Sequence, residues 1–234
     1  MTKVLLIIPA YNEEGSILKT CMTVKKCDSS LDFVVINDGS KDKTEEICIK
    51  NNLPHINLIH NLGIGGAVQT GYKYAYENNY DIAIQFDGDG QHDVTYVPKI
   101  IEPILKGETN MVIGSRFVDK NSSEFKSSGA RRMGIRLISF FIKLVTKKKV
   151  YDTTSGFRAV DKSLIEYFAR NYPVEYPEPV STTQILKEGF SITEVPVSMN
   201  EREEGVSSIR AWKSVYYMIN VILSILVVGI GGRK

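Results

Sequence analysis

Cysteine is scarce in this 234-residue chain: Cys21, Cys27 and Cys48 are odd in number and lack metal-ligand spacing. That excludes a disulfide scaffold and a zinc framework, and it implies a reducing cytoplasm. The N-terminus lacks the charged and apolar layout of a signal peptide. Internal repeats and low-complexity linkers are absent too, which excludes solenoids and arrays. Two local absences are more informative. No acidic residue occurs from Phe125 to Tyr151, which holds eight basic ones, and no charge of either sign occurs in the 19 residues from Ser214 to Gly232.

What remains is ordinary globular material, 43% hydrophobic and 24% charged with a net charge of +2. The length suits one substantial core and is too short for two full catalytic domains. We expect a domain over residues 1–209 and an apolar helix over 210–234 that serves membrane association or oligomerisation. Because the excess of positive charge is confined to one strip, general nucleic-acid binding is not expected and a localised anionic partner is.

The first half alternates β-rich runs with helical patterns. Val4 to Ile8, Phe33 to Ile36, Ile56 to Ile59, Ile82 to Phe86 and Met111 to Ile113 read as strands. Helices are expected around Ile17 to Lys25, Lys43 to Lys50, Ala67 to Glu77 and Val97 to Lys106. Such alternation predicts an α/β fold with a mostly parallel central sheet flanked by helices, and it puts ligand-binding residues on loops after the strands' carboxyl ends. The second half is less regular, with a strand expected over Ile192 to Val197.

Polar motifs follow the strands: PAYNEE (residues 9–14), NDGS (37–40), NLGIGG (61–66) and DGDGQ (87–91). In the last, Asp87 and Asp89 stand two apart with glycines where the backbone must bend. Hard cations such as Mg2+ or Mn2+ prefer carboxylates, water and phosphate oxygens, so an open carboxylate pair suits a metal-diphosphate complex, with Gln91 as a further oxygen ligand. NDGS presents Asp38 and a hydroxyl to a nucleobase or ribose. PAYNEE supplies Pro9 as a strand terminator, Tyr11 for stacking and Glu13 for polar contact. The glycines of residues 63–66 invite comparison with a dinucleotide fingerprint, but Val68 stands where the third glycine belongs and the motif follows the third strand instead of the first.

Together PAYNEE, NDGS, NLGIGGAVQTG, DGDGQHD, GSRF (114–117), DTTSGFRA (152–159) and the stretch from Arg202 to Ser207 resemble glycosyltransferase family 2. The resemblance is to its dolichol-phosphate mannose synthase-like branch and runs from Val4 to Ser208. It implies a GT-A fold and an inverting, metal-dependent transfer from a nucleotide diphosphate-sugar. It also places Pro9, Tyr11, Glu13 and Asp38 around the nucleoside, and Asp87, Asp89 and Gln91 around metal and diphosphate. Arg116, Arg131, Arg132 and Arg202 become phosphate contacts, a task suited to the guanidinium fork. The sequence departs from the family pattern at Asn37, where relatives carry Asp, at Val94, where Pro is expected, and at Val180, where a second acid often stands. Glu178 is then the nearest acid for a catalytic base.

Two segments suggest a membrane. Arg136, Ser139, Lys143 and Lys147 recur at helical spacing with Ile135, Ile138, Phe141, Ile142 and Val145 between them, the pattern of a basic amphipathic helix. The chargeless run would extend about 28 Å as a helix, close to a hydrocarbon core's thickness. An interfacial helix, a short span and packing in a homo-oligomer all remain open for it. The expected acceptor is a polyprenyl phosphate at the cytoplasmic membrane. The alternatives are a saccharide hydroxyl, and a non-catalytic nucleotide-sugar-binding module.

Overall fold

A computed structural model describes residues 2–28, 30–118, 129–198 and 211–231. Its sheet comprises β1 (Val4–Ala10), β2 (Asp32–Asn37), β3 (His55–Asn57), β4 (Ile82–Gln85), β5 (Met111–Ser115), β6 (Arg158–Asp161) and β7 (Ile192–Pro196), in the order β3-β2-β1-β4-β6-β5-β7. All pairings are parallel except those of β6, which runs opposite to both neighbours. The α-helices among the described residues are α1 (Ile17–Cys27), α2 (Thr44–Lys50), α3 (Gly63–Glu77), α4 (Val97–Leu105), α5 (Gly129–Thr146), α6 (Lys162–Asn171), α7 (Pro177–Lys187) and α8 (Ala211–Ile230), with a short 3-10 turn over Val94–Tyr96 before α4.

The continuous apolar runs make sense because the central strands are covered on both faces. Successive side chains of a strand point to opposite faces, so Leu6 and Ile8 of β1 join Cys21, Val24 and Ile100 from α1 and α4. Leu5 and Ile7 join Val68, Tyr72, Leu164 and Phe168 from α3 and α6 on the other side. The same split recurs in β2, with Phe33 and Val35 on one face and Val34 and Ile36 on the other.

The glycines at the start of α3 prove to be packing residues. A Cβ on Gly65 would lie 2.3 Å from the Val174 carbonyl oxygen, so only glycine lets the helix meet the loop before α7. β3 is shorter than expected and leaves Ile59 91% exposed, since pairing with β2 ends at Asn37 and Asn57. β6 was not expected from the sequence, nor were α6 and α7 resolved there as helices.

A third apolar cluster joins α5, α7 and α8 through Ile138, Ile142, Val221 and Ile225, with Phe141, Val145, Tyr217 and Met218 around them. Lys187 Nζ donates to the Gly229 carbonyl at 3.0 Å near the end of α8. Ser139, expected on the polar face of α5, is buried and donates to the Val150 carbonyl. Both helices also carry apolar residues outward: Met133, Leu137, Phe140 and Leu144 on α5, and Tyr216, Ile219, Leu223, Val227 and Ile230 on α8 are exposed. Among the described residues, no helix is long and apolar enough to cross a membrane.

Candidate active site

The carboxyl ends of β2, β1 and β4 lie side by side, so the loops after them meet. The first two loops are stitched together by side chains that bond backbone amides. Asn12, at a left-handed φ of 56°, donates its N–H to Ser40 Oγ at 2.9 Å and accepts from the Lys41 amide at 2.8 Å. The Glu13 amide donates to Thr44 Oγ1 and the Glu14 amide to Asp42 Oδ2. Glu13 Oε2 accepts from Ser16 Oγ at 2.6 Å. Pro9 pairs in register with Ile36, while Tyr11 stands 44% exposed at the rim.

Asp38 is buried at the end of β2, and its Oδ1 accepts the Leu62 amide at 2.7 Å, which fixes the start of α3. Burial raises its carboxyl above the usual range, opposed by the Leu62 and Gly63 amides. Asn37 donates to Asn57 Oδ1 at 2.9 Å, and Asn57 in turn donates to Glu45 at 2.7 Å. An aspartate at 37 would lack the donor for that chain of bonds.

The loop after β4 carries Asp87, Asp89 and Gln91. Asp89 Oδ1 accepts the Gln91 amide at 3.0 Å, Gly90 turns at φ 76°, and Thr20 Oγ1 on α1 donates to the Gly88 carbonyl at 3.0 Å. The Asp87 side chain is 32% exposed, and its amide donates to His92 Nδ1 at 2.9 Å. Gly156 comes close as well: a Cβ there would lie 3.1 Å from each Asp87 carboxylate oxygen and 3.0 Å from Gln85 Nε2. Any larger residue would press on the carboxylate.

No group of three or more His, Cys, Asp or Glu residues among the described ones could hold a metal by itself. The Asp87, Asp89 and Gln91 set supplies oxygen donors from one loop, with Asp89 buried and the Asp87 side chain 32% exposed. It fits an ion that keeps waters and takes phosphate oxygens from its substrate, as Mg2+ and Mn2+ do.

The arginines behave differently from expectation. Arg116 is buried, and its fork is bound by Asp152: Nε to Oδ2 and Nη2 to Oδ1, each at 2.8 Å, with a further 3.0 Å bond from Nη2 to Thr154 Oγ1. This internal ion pair ties the end of β5 to the DTTSGFRA segment. Arg132 is exposed on α5. Of Arg131 only the backbone is described, and Arg202 lies outside the described residues.

Glu178 sits in the first turn of α7, where burial raises its carboxyl, opposed chiefly by Arg158 and also by a hydrogen bond from Gln85. Asp87 is near enough to push in the same direction as burial. Arg158 is wholly buried; it donates to the Ser155 carbonyl at 2.7 Å and, through Nη1, to the Glu178 carbonyl at 2.9 Å and the Ser181 and Thr182 hydroxyls. Val180, in place of a second acid, is 6% exposed. Gln85, His92, Asp152, Gly156 and Arg158 were not singled out from the sequence, although each lies in or beside a motif that was.

The family model for glycosyl transferase family 2 matches residues 5–168. A UDP-N-acetylglucosamine–dolichyl-phosphate N-acetylglucosaminyltransferase of Methanococcus voltae is 35% identical over 212 residues, 82% of this chain and 83% of that protein. An undecaprenyl-phosphate mannosyltransferase of Micrococcus luteus is 28% identical over 218 residues, 88% of this chain and 86% of that protein. Among solved structures, glucosyl-3-phosphoglycerate synthase of Mycobacterium tuberculosis, in complex with Mn2+, UDP and phosphoglyceric acid, superposes with a TM-score of 0.73. That match has 18% identity and covers 100% of this chain and 80% of that one, and it establishes the GT-A-like fold. With the sheet, the loops at its carboxyl edge and these relatives in agreement, the chain is a glycosyltransferase and belongs to glycosyl transferase family 2.

Proposed function

We propose that this glycosyltransferase moves a sugar, with inversion, from a nucleotide diphosphate-sugar to a polyprenyl phosphate at the cytoplasmic face of a membrane. The observation that carries the reading is the combination of an open carboxylate loop at the end of β4 with outward apolar stripes on α5 and α8. The loop suits the donor diphosphate and the stripes suit a lipid-linked acceptor. The names of the Methanococcus and Micrococcus relatives support the same acceptor class.

In this reading Tyr11 and Pro9 border the base, while Asp38 and Glu13 shape the nucleoside pocket from the stitched loops. Asp87, Asp89 and Gln91 face the diphosphate, where a bound Mg2+ or Mn2+ supplies neutralisation of the charge that develops on the leaving group. The acceptor phosphate oxygen attacks the anomeric carbon on the face opposite the diphosphate; the new C–O bond forms as the sugar–diphosphate bond breaks. A phosphate monoester is already ionised near neutral pH, so the reaction needs no general base, and the apolar Val180 is compatible with that. Arg131, Arg132 and Arg202 serve the anionic groups of acceptor and donor. Arg116 serves indirectly, by fixing the loop that carries Gly156.

Residues 1–209 then form the catalytic domain and 210–234 its docking helix. A helix apolar around its whole circumference needs cover on every side. α8 packs one side against α5 and α7, and the lipid interface covers the other, with Arg132, Arg136 and Lys143 of α5 toward anionic headgroups. Cosedimentation with anionic vesicles tests this arrangement. Binding lost on deletion of residues 211–234 supports it; a monomer that ignores vesicles, or a stable homo-oligomer that covers the stripes, contradicts it.

A second reading has one observation in its favour. Glu178, held near Asp87 with a raised carboxyl, has the environment of a general base, which would suit a saccharide hydroxyl as acceptor. Transfer to an oligosaccharide that is abolished by Glu178→Gln would select it.

A further inference from the structure

We infer that His92 is a positioning residue for the carboxylate loop, bonding the Asp87 backbone amide while its ring lies beside the Asp87 carboxylate. The inference rests on the metal-diphosphate role proposed for Asp87. A backbone amide can only donate, so Nδ1, 2.9 Å from the Asp87 nitrogen, is the acceptor. The ring proton then stands on Nε2, which lies 3.4 Å from Asp87 Oδ2. The two ring nitrogens point in divergent directions, so the bond from the amide is the one hydrogen bond between the two residues, and the Nε2–H dipole lies beside the carboxylate as a close electrostatic contact.

The ring itself has no freedom. It stacks on Phe157 with centroids 4.8 Å apart and planes 18° from parallel, and Phe86 meets it edge-on at 5.5 Å. Its side chain is 1% exposed. Phe157 also follows Gly156, whose missing side chain leaves room for the oxygens of the same carboxylate. Asp87 is therefore flanked by an imidazole and a glycine. A histidine that merely filled the core would need neither nitrogen directed at Asp87, and a phenylalanine would serve as well.

Partners that orient a metal-binding side chain change metal affinity by about 10- to 100-fold when removed. The test is Mn2+ titration of the full chain by electron paramagnetic resonance, with uridine diphosphate and guanosine diphosphate in parallel. Circular dichroism and thermal melting verify the fold of each variant. His92→Phe keeps a flat ring against Phe157 and loses both nitrogens, so its Mn2+ dissociation constant is expected to rise at least about tenfold. His92→Gln offers a donor toward the Asp87 carboxylate and should recover part of the loss. Should His92→Phe fail to fold, His92→Asn decides: it offers an acceptor to the amide and nothing to the carboxylate, so binding must still weaken several-fold. Wild-type affinity in folded His92→Phe, or in His92→Asn if it is the one that folds, overturns the role of His92 and leaves the metal reading standing. Folded wild-type protein that binds no Mn2+ with either nucleotide overturns the metal reading and this inference together.

Discussion

The two halves of the sheet solve opposite problems. Around β1, β2 and β4 the apolar residues are inside and the polar loop residues bond one another, leaving Tyr11 and Asp87 open at the rim. From β5 onward the core carries two arginines, Arg116 and Arg158, while Met133, Leu137, Phe140 and Leu144 face outward with the stripe of α8. On the function proposed above, the buried arginines shape loops beside the donor and the exposed apolar residues meet a lipid surface. The first half would then serve a soluble, polar donor and the second an acceptor delivered by an apolar surface.

The strongest way to break this contrast is at the donor edge. Asp89→Asn is expected to lower transfer by at least about 100-fold without altering the melting temperature, because a carboxylate that faces the departing diphosphate contributes mainly as charge develops there. Excess chelator should reproduce the loss in the wild-type protein; undiminished turnover under chelation contradicts the metal role. The buried pair in the second half comes next. Arg116→Ala leaves Asp152 ionised and unpaired in the interior, and the expected cost is about 3 kcal/mol in denaturant unfolding. A cost below roughly 1 kcal/mol, the range of exposed pairs, would mean that the pair is effectively solvated.

These two sites also show what the sequence makes legible. The donor edge is local: strand, turn residues and carboxylates lie within one motif, and the hydrophobic runs give the order of β1, β2 and β4. The Arg116–Asp152 pair joins residues 36 apart, and no periodicity foretells it. β6 hides for a related reason, since RAVD is only four residues long and begins with an arginine that is buried through hydrogen bonds from Nε and Nη1 to Ser155, Glu178, Ser181 and Thr182. The start of α7 hides behind prolines that read as a loop but occupy its first turn, where the missing N–H is harmless. α6 was legible in principle: Asp161 caps it by accepting the Leu164 amide at 2.9 Å. In α5 the helical period was readable, but tertiary packing turned Ser139 inward and left Phe140 and Leu144 outside.

Those outward residues give a third test. Replacing Phe140 or Leu223 by Glu removes an apolar side chain worth roughly 1.5 kcal/mol of burial in lipid, so vesicle partitioning should fall about tenfold per site with the fold unchanged. Unchanged partitioning would remove α5 and α8 from the interface. The smallest expected effect is at Glu178. Its folded-state carboxyl is raised by burial, so the folded chain holds this proton more tightly than the unfolded one; stability from that source is present at acidic pH and is lost as pH rises through the folded value. Glu178→Gln has no such loss. Its melting temperature should therefore gain on the wild type as pH rises above the usual carboxylate range, and transfer to a phosphate acceptor should change less than about tenfold, the low end of general-base contributions being larger. A melting difference independent of pH would show that the carboxylate is not desolvated.

The contrast between the halves rests finally on the acceptor. The direct measurement supplies a labelled nucleotide sugar together with a polyprenyl phosphate or an oligosaccharide, and identifies the products by mass spectrometry. The account predicts a sugar-phosphate-polyprenol that forms without need of the Glu178 carboxylate. Label found only in the oligosaccharide, and lost in Glu178→Gln, would contradict it.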